Sequence, residues 1–345
     1  MALLTVSNLK KRFNLEAGFF ARVGGPYGKY IQAVNGLDFY IDRNESYGLV
    51  GESGCGKTTT ARLLVRMYSA DEGEILFNEA DNGTSQLASQ IAPQIAAQNV
   101  GALNKKELKN YREKVKYIFQ DPARSLNPRM TVYEVLTSGR RWSDKKVSEK
   151  QNREDAAAIL EETGLSAADL ERRPSEFSGG QRQRISIARA LLMKPELLIC
   201  DEVVSALDVS IQGQILNLLL DIRSSRGLSF LFIAHDLRVA CYFCDRIGVM
   251  YRGEMMEEAD AKTLWKSGLH PYTGLLFSSA GKSATIISIK PDEKNSRTAA
   301  DIAGCVYADR CPYAQERCFL EKPLLRSTEP GHRVRCFRAG SINVY

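Results

Sequence analysis

One eight-residue stretch constrains the fold of this chain more than any other feature. Residues 51–58 read GESGCGKT, which fits the pattern GxxxxGK followed by Ser or Thr, and they lie between an apolar run, YGLV, and the segment TTTARLLVRMY. Glycines in such a turn let backbone N–H groups surround phosphate oxygens, and the N-terminus of the following helix adds the positive end of its dipole. The stretch therefore predicts a buried strand, a phosphate-binding loop and a helix, in that order.

The side chains of this loop indicate a nucleotide bound with its metal ion. Lys57 can neutralise charge on the β- and γ-phosphates, and the Thr58 hydroxyl can bind Mg²⁺. The alternative is a Gly-rich turn without a ligand, which the strand–loop–helix context disfavours. The predicted nucleotide-binding residues of the loop are Gly51, Ser53, Gly54, Cys55, Gly56, Lys57, Thr58 and Thr59.

Three further apolar runs end in residues suited to phosphate chemistry. LLIC is followed by Asp201 and Glu202, KYIF by Gln120, and FLFIA by His235. Ligands of α/β sheets bind beyond the carboxyl ends of the strands. Asp201 is therefore predicted to hold Mg²⁺ through water, and Glu202 to orient or deprotonate the attacking water. A γ-phosphate contact is predicted for His235, with a structural role as the alternative.

The rest of the chain indicates an α/β protein of about two domains. Its 345 residues are 44% hydrophobic, and apolar strands alternate with amphipathic helices, which predicts a largely parallel sheet covered on both faces. The segment from about 121 to 178 is predicted to be mostly helical. Residues 82–104 carry no charge and form either a solvated insertion or a short helix. The last 80 residues are only sparsely periodic and are predicted to form a small appendage.

Charge and hydropathy limit where the protein works. The net charge of +6 argues only weakly for nucleic acid, and no apolar run approaches the ~18–20 residues of a membrane span. The first residues, MALLTVSNLKKRF, lack the apolar core of a signal peptide. We therefore expect a cytoplasmic protein that reaches a membrane only by docking on other subunits.

A second anion site is predicted at EFSGGQRQRISIARALL. Ser178, Gly179, Gly180 and Gln181 stand directly before a helix. One nucleotide hardly needs two helix N-termini from distant parts of one chain, so a second chain is expected to face each phosphate loop with this segment. The alternative is a plain helix cap with Ser178 at the N-cap.

Together these motifs resemble the ATP-binding subunits of ABC transporters over roughly residues 3–280. The resemblance implies a P-loop ABC ATPase core, with a mostly parallel sheet, an antiparallel β subdomain and an inserted helical subdomain at about 121–180. It also implies that Phe13 stacks on adenine, with Tyr30 as the weaker candidate. In this family Gln120 is the Q-loop residue, Ser205–Asp208 the D-loop and His235 the switch histidine. Thr58, Gln120 and Asp201 are then the Mg²⁺ ligands.

Two longer phrases, IFQDPARSLNPRMTV and GLHPYTGLL, resemble the oligopeptide/dipeptide importer subgroup. This implies a nucleotide-binding domain at 1–265, a C-terminal extension at 266–345, and ATP-driven import of peptides or similar solutes. The implied partners are a paralogous ATPase or a second copy, two transmembrane permeases and, indirectly, an extracytoplasmic binding protein, at the cytoplasmic face of the membrane. The chain departs from the pattern at Val203, where proline is usual, at Phe177, where leucine is usual, and in the insertion at 82–104.

The eight cysteines fall into three groups. Cys200 is predicted to be a small buried hydrophobic residue, and the Cys241–Cys244 pair to pack within a helix rather than to bind metal. The third group comprises Cys305, Cys311, Cys318 and Cys336. Disulfides are disfavoured in the cytoplasm, and these spacings miss the usual zinc knuckle. The subgroup resemblance implies that the four hold a 4Fe-4S cluster, with Zn²⁺ or packing thiols as alternatives.

Two other functions compete with transport. A DNA-repair type of ABC ATPase would require a long coiled coil or a second nucleotide domain, and the sequence has neither. An ATP-binding regulatory partner with little turnover would be favoured by a missing Glu202 or a broken segment at 178–181, and both are intact.

Overall fold

The computed structural model describes residues 2–14, 30–79, 97–143, 147–279 and 303–342. Its strands are β1 (Ala2–Asn14), β2 (Tyr30–Asp42), β3 (Ser46–Val50), β4 (Glu72–Phe77), β5 (Gln98–Asn99), β6 (Val115–Ile118), β7 (Leu197–Asp201), β8 (Ser229–Ala234), β9 (Arg246–Tyr251), β10 (Glu254–Asp260), β11 (Arg326–Glu329) and β12 (His332–Val334). Its helices are α1 (Lys57–Leu64), α2 (Lys105–Lys114), α3 (Pro122–Ser125), α4 (Val132–Thr137), α5 (Glu149–Glu162), α6 (Gly179–Leu191), α7 (Val209–Arg226), α8 (Leu237–Phe243), α9 (Ala261–Ser267), α10 (Pro271–Ser279) and α11 (Glu316–Leu320).

These elements form two compact units. Unit 1 consists of residues 1–42, 46–103 and 233–345, and unit 2 of residues 43–45 and 104–232. Most of the predicted insertion, residues 82–96, lies outside the described residues. Among the residues that are described, no helix has both the length and the apolar character needed to cross a bilayer.

Unit 1 contains the antiparallel β subdomain that the resemblance implied. Four strands pair in the order β2-β1-β4-β5, and both partners of β1 run antiparallel to it. Leu4, Val6 and Leu9 of β1 are fully or almost fully buried, so this sheet has an apolar core of its own. The α/β fold with a separate antiparallel sheet is thereby confirmed.

The second sheet of unit 1 carries the phosphate loop. β3 pairs in parallel with β9, β9 pairs with β10, and β10 pairs with β12, which is joined to β11. All five residues of β3 are buried. Residues 326–334 therefore extend the sheet that contains β3. The division at 265/266 remains a prediction.

Unit 2 contains the mainly helical segment. β6 and β7 pair in parallel, and β8 contributes its first four residues to this unit. Helix α2 begins after Asn104, which forms a reciprocal capping box with Glu107, and Thr131 and Glu134 form the same box at the start of α4. Between residues 121 and 178 the described chain is mostly α-helical and 3-10 turns, which confirms the predicted helical character.

Helix α1 is shorter than the predicted segment TTTARLLVRMY. It ends at Leu64, and Arg66 has a left-handed backbone with φ 52°. The chain then turns so that Tyr68 meets Phe13 edge to face, with 5.3 Å between ring centroids. The helix therefore ends four residues before Tyr68, the last residue of the predicted segment.

Candidate functional site

The phosphate loop joins β3 to α1 and depends on two glycines. Gly56 has φ 109°, and a Cβ there would lie 2.2 Å from the Ala33 carbonyl oxygen. A Cβ on Gly51 would lie 2.1 Å from the Met250 carbonyl oxygen. Glycine is required at both positions because any side chain would collide with backbone. The loop is thus fixed between β2 and β9, with Ser53 and Gly54 exposed at its tip.

Lys57 lies inside the loop. Its side chain is buried, and Nζ donates hydrogen bonds to the carbonyl oxygens of Gly51 at 2.6 Å and Glu52 at 3.0 Å. Thr58 and Thr59 are half-buried in the first turn of α1. Burial raises the pKa of the Cys55 thiol. Cys55 is therefore a buried packing residue of the loop.

Phe13, Tyr30 and His235 are the predicted nucleotide-site residues of unit 1 that lie outside the phosphate loop. Phe13 is half-buried against Tyr68, and the Arg12 guanidinium lies over the Tyr30 ring, 5.4 Å from its centroid. His235 directly follows β8 and is exposed. Phe13 and Tyr30 therefore both have a cationic neighbour, because Nζ of Lys11 lies 5.6 Å from the centroid of the Phe13 ring.

In unit 2 the predicted carboxylates follow one another at the end of β7. Asp201 is buried and accepts a hydrogen bond from the Tyr117 hydroxyl. Glu202 has a left-handed backbone with φ 50°. The backbone N–H of Ser205 and its hydroxyl both donate to the Glu202 carbonyl oxygen, at 3.1 and 2.9 Å. The turn therefore holds the Glu202 backbone in an unusual conformation.

Gln120 and Glu202 are brought together by the fold. Nε2 of Gln120 donates to Oε2 of Glu202 at 2.7 Å. Val203, which stands where proline is usual in the family, is buried behind this turn. The Gln120 amide, the Glu202 carboxylate and the buried Asp201 thus lie at the ends of the adjacent strands β6 and β7.

Residues 178–181 form a helix start with a capping box. The Gln181 backbone N–H donates to the Ser178 hydroxyl, and the Gln181 side chain accepts from the Ser178 backbone N–H, at 3.3 and 3.0 Å. The cap explains Ser178 and Gln181 locally. It gives no reason for Gly179, whose missing Cβ would make only ordinary van der Waals contact. Ser178, Gly179 and Gln181 are exposed, as is Asp208 at the start of α7.

The four C-terminal cysteines line one cavity in unit 1. Cys305, Cys311, Cys318 and Cys336 share it with His270 and Tyr307. Each sulfur accepts a backbone N–H: from Tyr307, Tyr313, Gln315 and Arg338 for Cys305, Cys311, Cys318 and Cys336 respectively. Hydrogen bonds of this kind accompany thiolate ligands of metal centres.

Four thiols are ligands of the type that soft metal groups prefer, but their burial and arrangement here do not form a ready metal site. Burial raises the pKa of Cys305 to about 12 and that of Cys311 to about 11. Across the described ranges, no three His, Cys, Asp or Glu side chains are arranged as a ready metal site. All eight cysteines are free thiols, and Cys244 packs against Gly48 of β3. The implied cluster therefore remains a prediction.

Three contacts made by residues of the phosphate loop and of the carboxylate pair have no clear signal in the sequence. Glu52 of the phosphate loop pairs with Arg310, and its backbone N–H donates to the Tyr272 hydroxyl at 2.8 Å. Tyr117 supports Asp201 from the preceding strand of unit 2. Residues 258 positions apart cannot be paired from spacing alone.

Two family models match the chain. The model for ABC transporters matches residues 34–205, and that for the oligopeptide/dipeptide transporter C-terminal region matches residues 256–318. The oligopeptide transport ATP-binding protein OppF of Bacillus subtilis is 39% identical over 98% of this chain and 97% of its own length. The chain belongs to the family of ABC transporter ATP-binding proteins. Three of the four C-terminal cysteines lie inside the second match, and Cys336 lies beyond it.

Other relatives agree with this assignment. The oligopeptide transport ATP-binding protein AppF of Bacillus subtilis is 38% identical over 97% of this chain and 96% of its own. Among solved structures, the ATP-binding cassette MJ0796 in a dimeric post-hydrolysis state with ADP and Pi is 25% identical. It covers 75% of this chain and 98% of that one, with a TM-score of 0.60. This ABC ATPase therefore has the predicted P-loop fold.

Proposed function

We propose that this ABC ATPase powers the import of peptides or similar solutes at the cytoplasmic face of the membrane. The observation that carries the proposal is the hydrogen bond from Gln120 to Glu202 beside the buried Asp201, because it keeps a hydrolytic carboxylate next to a metal-binding one. The match of residues 256–318 to the oligopeptide/dipeptide transporter region supports the solute class.

In the proposed mechanism two MgATP molecules are shared between two nucleotide-binding domains. Lys57 holds the β- and γ-phosphates, while Thr58, Gln120 and Asp201 hold Mg²⁺. Glu202 orients or deprotonates the attacking water. The remaining proposed contacts are Phe13 on adenine, His235 on the γ-phosphate, and Ser178–Gln181 and Asp208 of one chain on the nucleotide of the other.

The proposed partners are a paralogous ATPase or a second copy, two transmembrane permeases and, indirectly, an extracytoplasmic binding protein. The test is purification of a tagged chain from detergent-solubilised membranes, with Glu202→Gln and ATP used to hold the closed state. We expect hydrophobic permeases in the eluate, and ATP turnover of the wild-type complex that rises when peptide-loaded binding protein is added. Recovery with nucleic acid in place of permeases would overturn the proposal.

For the four-cysteine region, residues 303–342, we propose a 4Fe-4S cluster held by Cys305, Cys311, Cys318 and Cys336. Support comes from the four sulfurs on one cavity, each with a backbone N–H donor. When bound, the cluster would cross-link the region. Anaerobic purification should give iron and sulfide in equal amounts, and Cys318→Ala should lose both. Zinc alone, or no metal, contradicts the proposal.

A further inference from the structure

A guanidinium from a distant part of the chain, that of Arg310, contacts Glu52 of the phosphate loop. Two nitrogens of Arg310 donate to the two carboxylate oxygens of Glu52, at 2.7 and 3.0 Å. The Arg310 side chain is only 10% exposed, whereas that of Glu52 is 38% exposed. A fork of this kind fixes the orientation of a carboxylate better than a single contact does, because both oxygens are engaged. Glu52 is thus fixed although it faces solvent.

The backbone of Glu52 is fixed as well. Its N–H donates to the hydroxyl of the buried Tyr272 at 2.8 Å. Its carbonyl oxygen accepts from the Cys55 backbone N–H at 3.3 Å and from Nζ of Lys57 at 3.0 Å. All polar groups of Glu52 are therefore bonded. Glu52 is therefore bonded to Arg310 and Tyr272 on one side and to Lys57 on the other.

A cluster of three tyrosines links these contacts to the cysteine cavity. The Tyr251, Tyr272 and Tyr307 rings lie in mutual contact, with centroid separations of 4.7, 5.3 and 5.3 Å. The Arg310 guanidinium lies 5.9 Å from the centroid of the Tyr307 ring. Tyr307 itself lines the cavity and donates its backbone N–H to Cys305. A continuous series of contacts thus runs from the cysteine cavity to Lys57.

We propose that Arg310 and Tyr272 are positioning residues for the phosphate loop, and that they make nucleotide affinity depend on the ordered state of the four-cysteine region. The inference rests on the proposed function of the loop in binding MgATP. Its physical basis is preorganisation: a loop already held in its binding geometry loses less conformational freedom when the nucleotide binds.

The first test measures ATP affinity and turnover in Arg310→Gln, Glu52→Gln and the double variant. We expect KM for ATP to rise roughly fivefold in each single variant, the order for a partly exposed charge-assisted pair, with kcat retained. In the double variant KM for ATP should also rise about fivefold, and not by the product of the two single effects. The reason is that both changes break the same contact. Tyr272→Phe should raise KM without changing kcat. Arg326→Gln, an exposed arginine of the same region, is the matched control and should resemble wild type.

The second test asks whether the cysteine region acts through Arg310. Cys318→Ser should weaken binding of ATP to the otherwise unchanged chain, and should add little in the Arg310→Gln background. Wild-type affinity in Arg310→Gln, or a Cys318→Ser effect of equal size in both backgrounds, refutes the inference. Absence of ATP binding by the wild-type chain is a different result, since it contradicts the proposed function itself.

Discussion

Glu202 occupies a backbone conformation that side chains rarely adopt. With φ 50° it lies in the left-handed region, which costs a residue other than glycine roughly 1–2 kcal/mol. The Ser205 N–H and hydroxyl hold its carbonyl oxygen, and Gln120 holds its carboxylate. Strain of this kind persists where the surroundings over-determine it. Here it directs the carboxylate toward Gln120.

For Glu202 we predict that a substitution lowers ATP turnover and leaves nucleotide affinity unchanged. Glu202→Gln keeps an oxygen that can accept from Gln120 but loses the base, so kcat should fall by roughly 10²–10⁴ while MgATP affinity is kept. Steady-state ATPase rates and equilibrium nucleotide binding measure the two quantities. Glu161→Gln, an exposed glutamate of α5, serves as the control. Unchanged turnover would refute the role of Glu202.

The placement of the residues proposed to bind phosphate and Mg²⁺ was predictable because their signal is local. Gly56 and Lys57 have fixed spacing within one loop, and Asp201 follows a recognisable apolar run. The left-handed backbone of Glu202 was not predictable, because DEVVSALD contains no glycine to mark it. The pairing of Glu52 with Arg310 was equally hidden, because it depends on the path of the chain across unit 1.

At the scale of elements, β10 departs most from its sequence. Four of the seven residues of EMMEEAD are acidic, yet six of the seven are buried. Glu254 pairs with Lys322 at 2.5 Å, and Glu258 with Arg246 at 2.7 Å and also with Arg333. Buried carboxylates are tolerated only with such partners. Two of these three cations come from the C-terminal region, so sequence periodicity around β10 could not predict the burial.

Glu257 gives a graded test of this arrangement. Its carboxylate accepts from the backbone N–H groups of Leu269 and His270, at 2.6 and 3.0 Å, and lies 2.7 Å from Nε2 of His332. Glu257→Leu leaves all three donors without an acceptor. It should lower the free energy of unfolding by about 3 kcal/mol or more. His332→Leu leaves fewer polar groups without a partner. It should lower the free energy of unfolding by about 1–2 kcal/mol.

Thermal unfolding of the purified variants measures this order. Glu329→Leu, a change of the same kind at an exposed position of β11, should shift the midpoint little. Equal midpoints for Glu257→Leu and Glu329→Leu would contradict the account of β10.

At the scale of the whole molecule, residues at the start of α7 and at the start of α6 are exposed. Val209 is 84% exposed although it is apolar, and Asp208 beside it is exposed as well. At the start of α6, Ser178 and Gly179 are exposed too, whereas a Cβ on Gly180 would lie 2.7 Å from Ile211 of α7. Both surfaces belong to unit 2. They fit the proposed contact with a second ATPase chain.

The corresponding prediction concerns association of two chains. Ser178→Arg places a long cation where the partner's nucleotide is proposed to bind, and should abolish the ATP-dependent dimer formed in the Glu202→Gln background. Sedimentation with and without ATP measures it. Ser224→Arg, the same change at an exposed site near the end of α7, should leave association intact. Normal dimerisation of the Ser178→Arg chain would refute the shared site.

The pairing of β12 with β10 has a consequence for the order of synthesis. Unit 1 is assembled from three separate stretches of the chain, and the strand that covers β10 is made after every residue of the phosphate loop and of the Asp201–Glu202 pair. A chain that ended before residue 326 would contain the phosphate loop and the Asp201–Glu202 pair. The carboxylates of β10 would then lack part of their cationic and hydrogen-bonding partners. Long-range pairing of this kind forms late and slowly. The sheet that contains β10 is therefore completed only after residues 332–334 have been made.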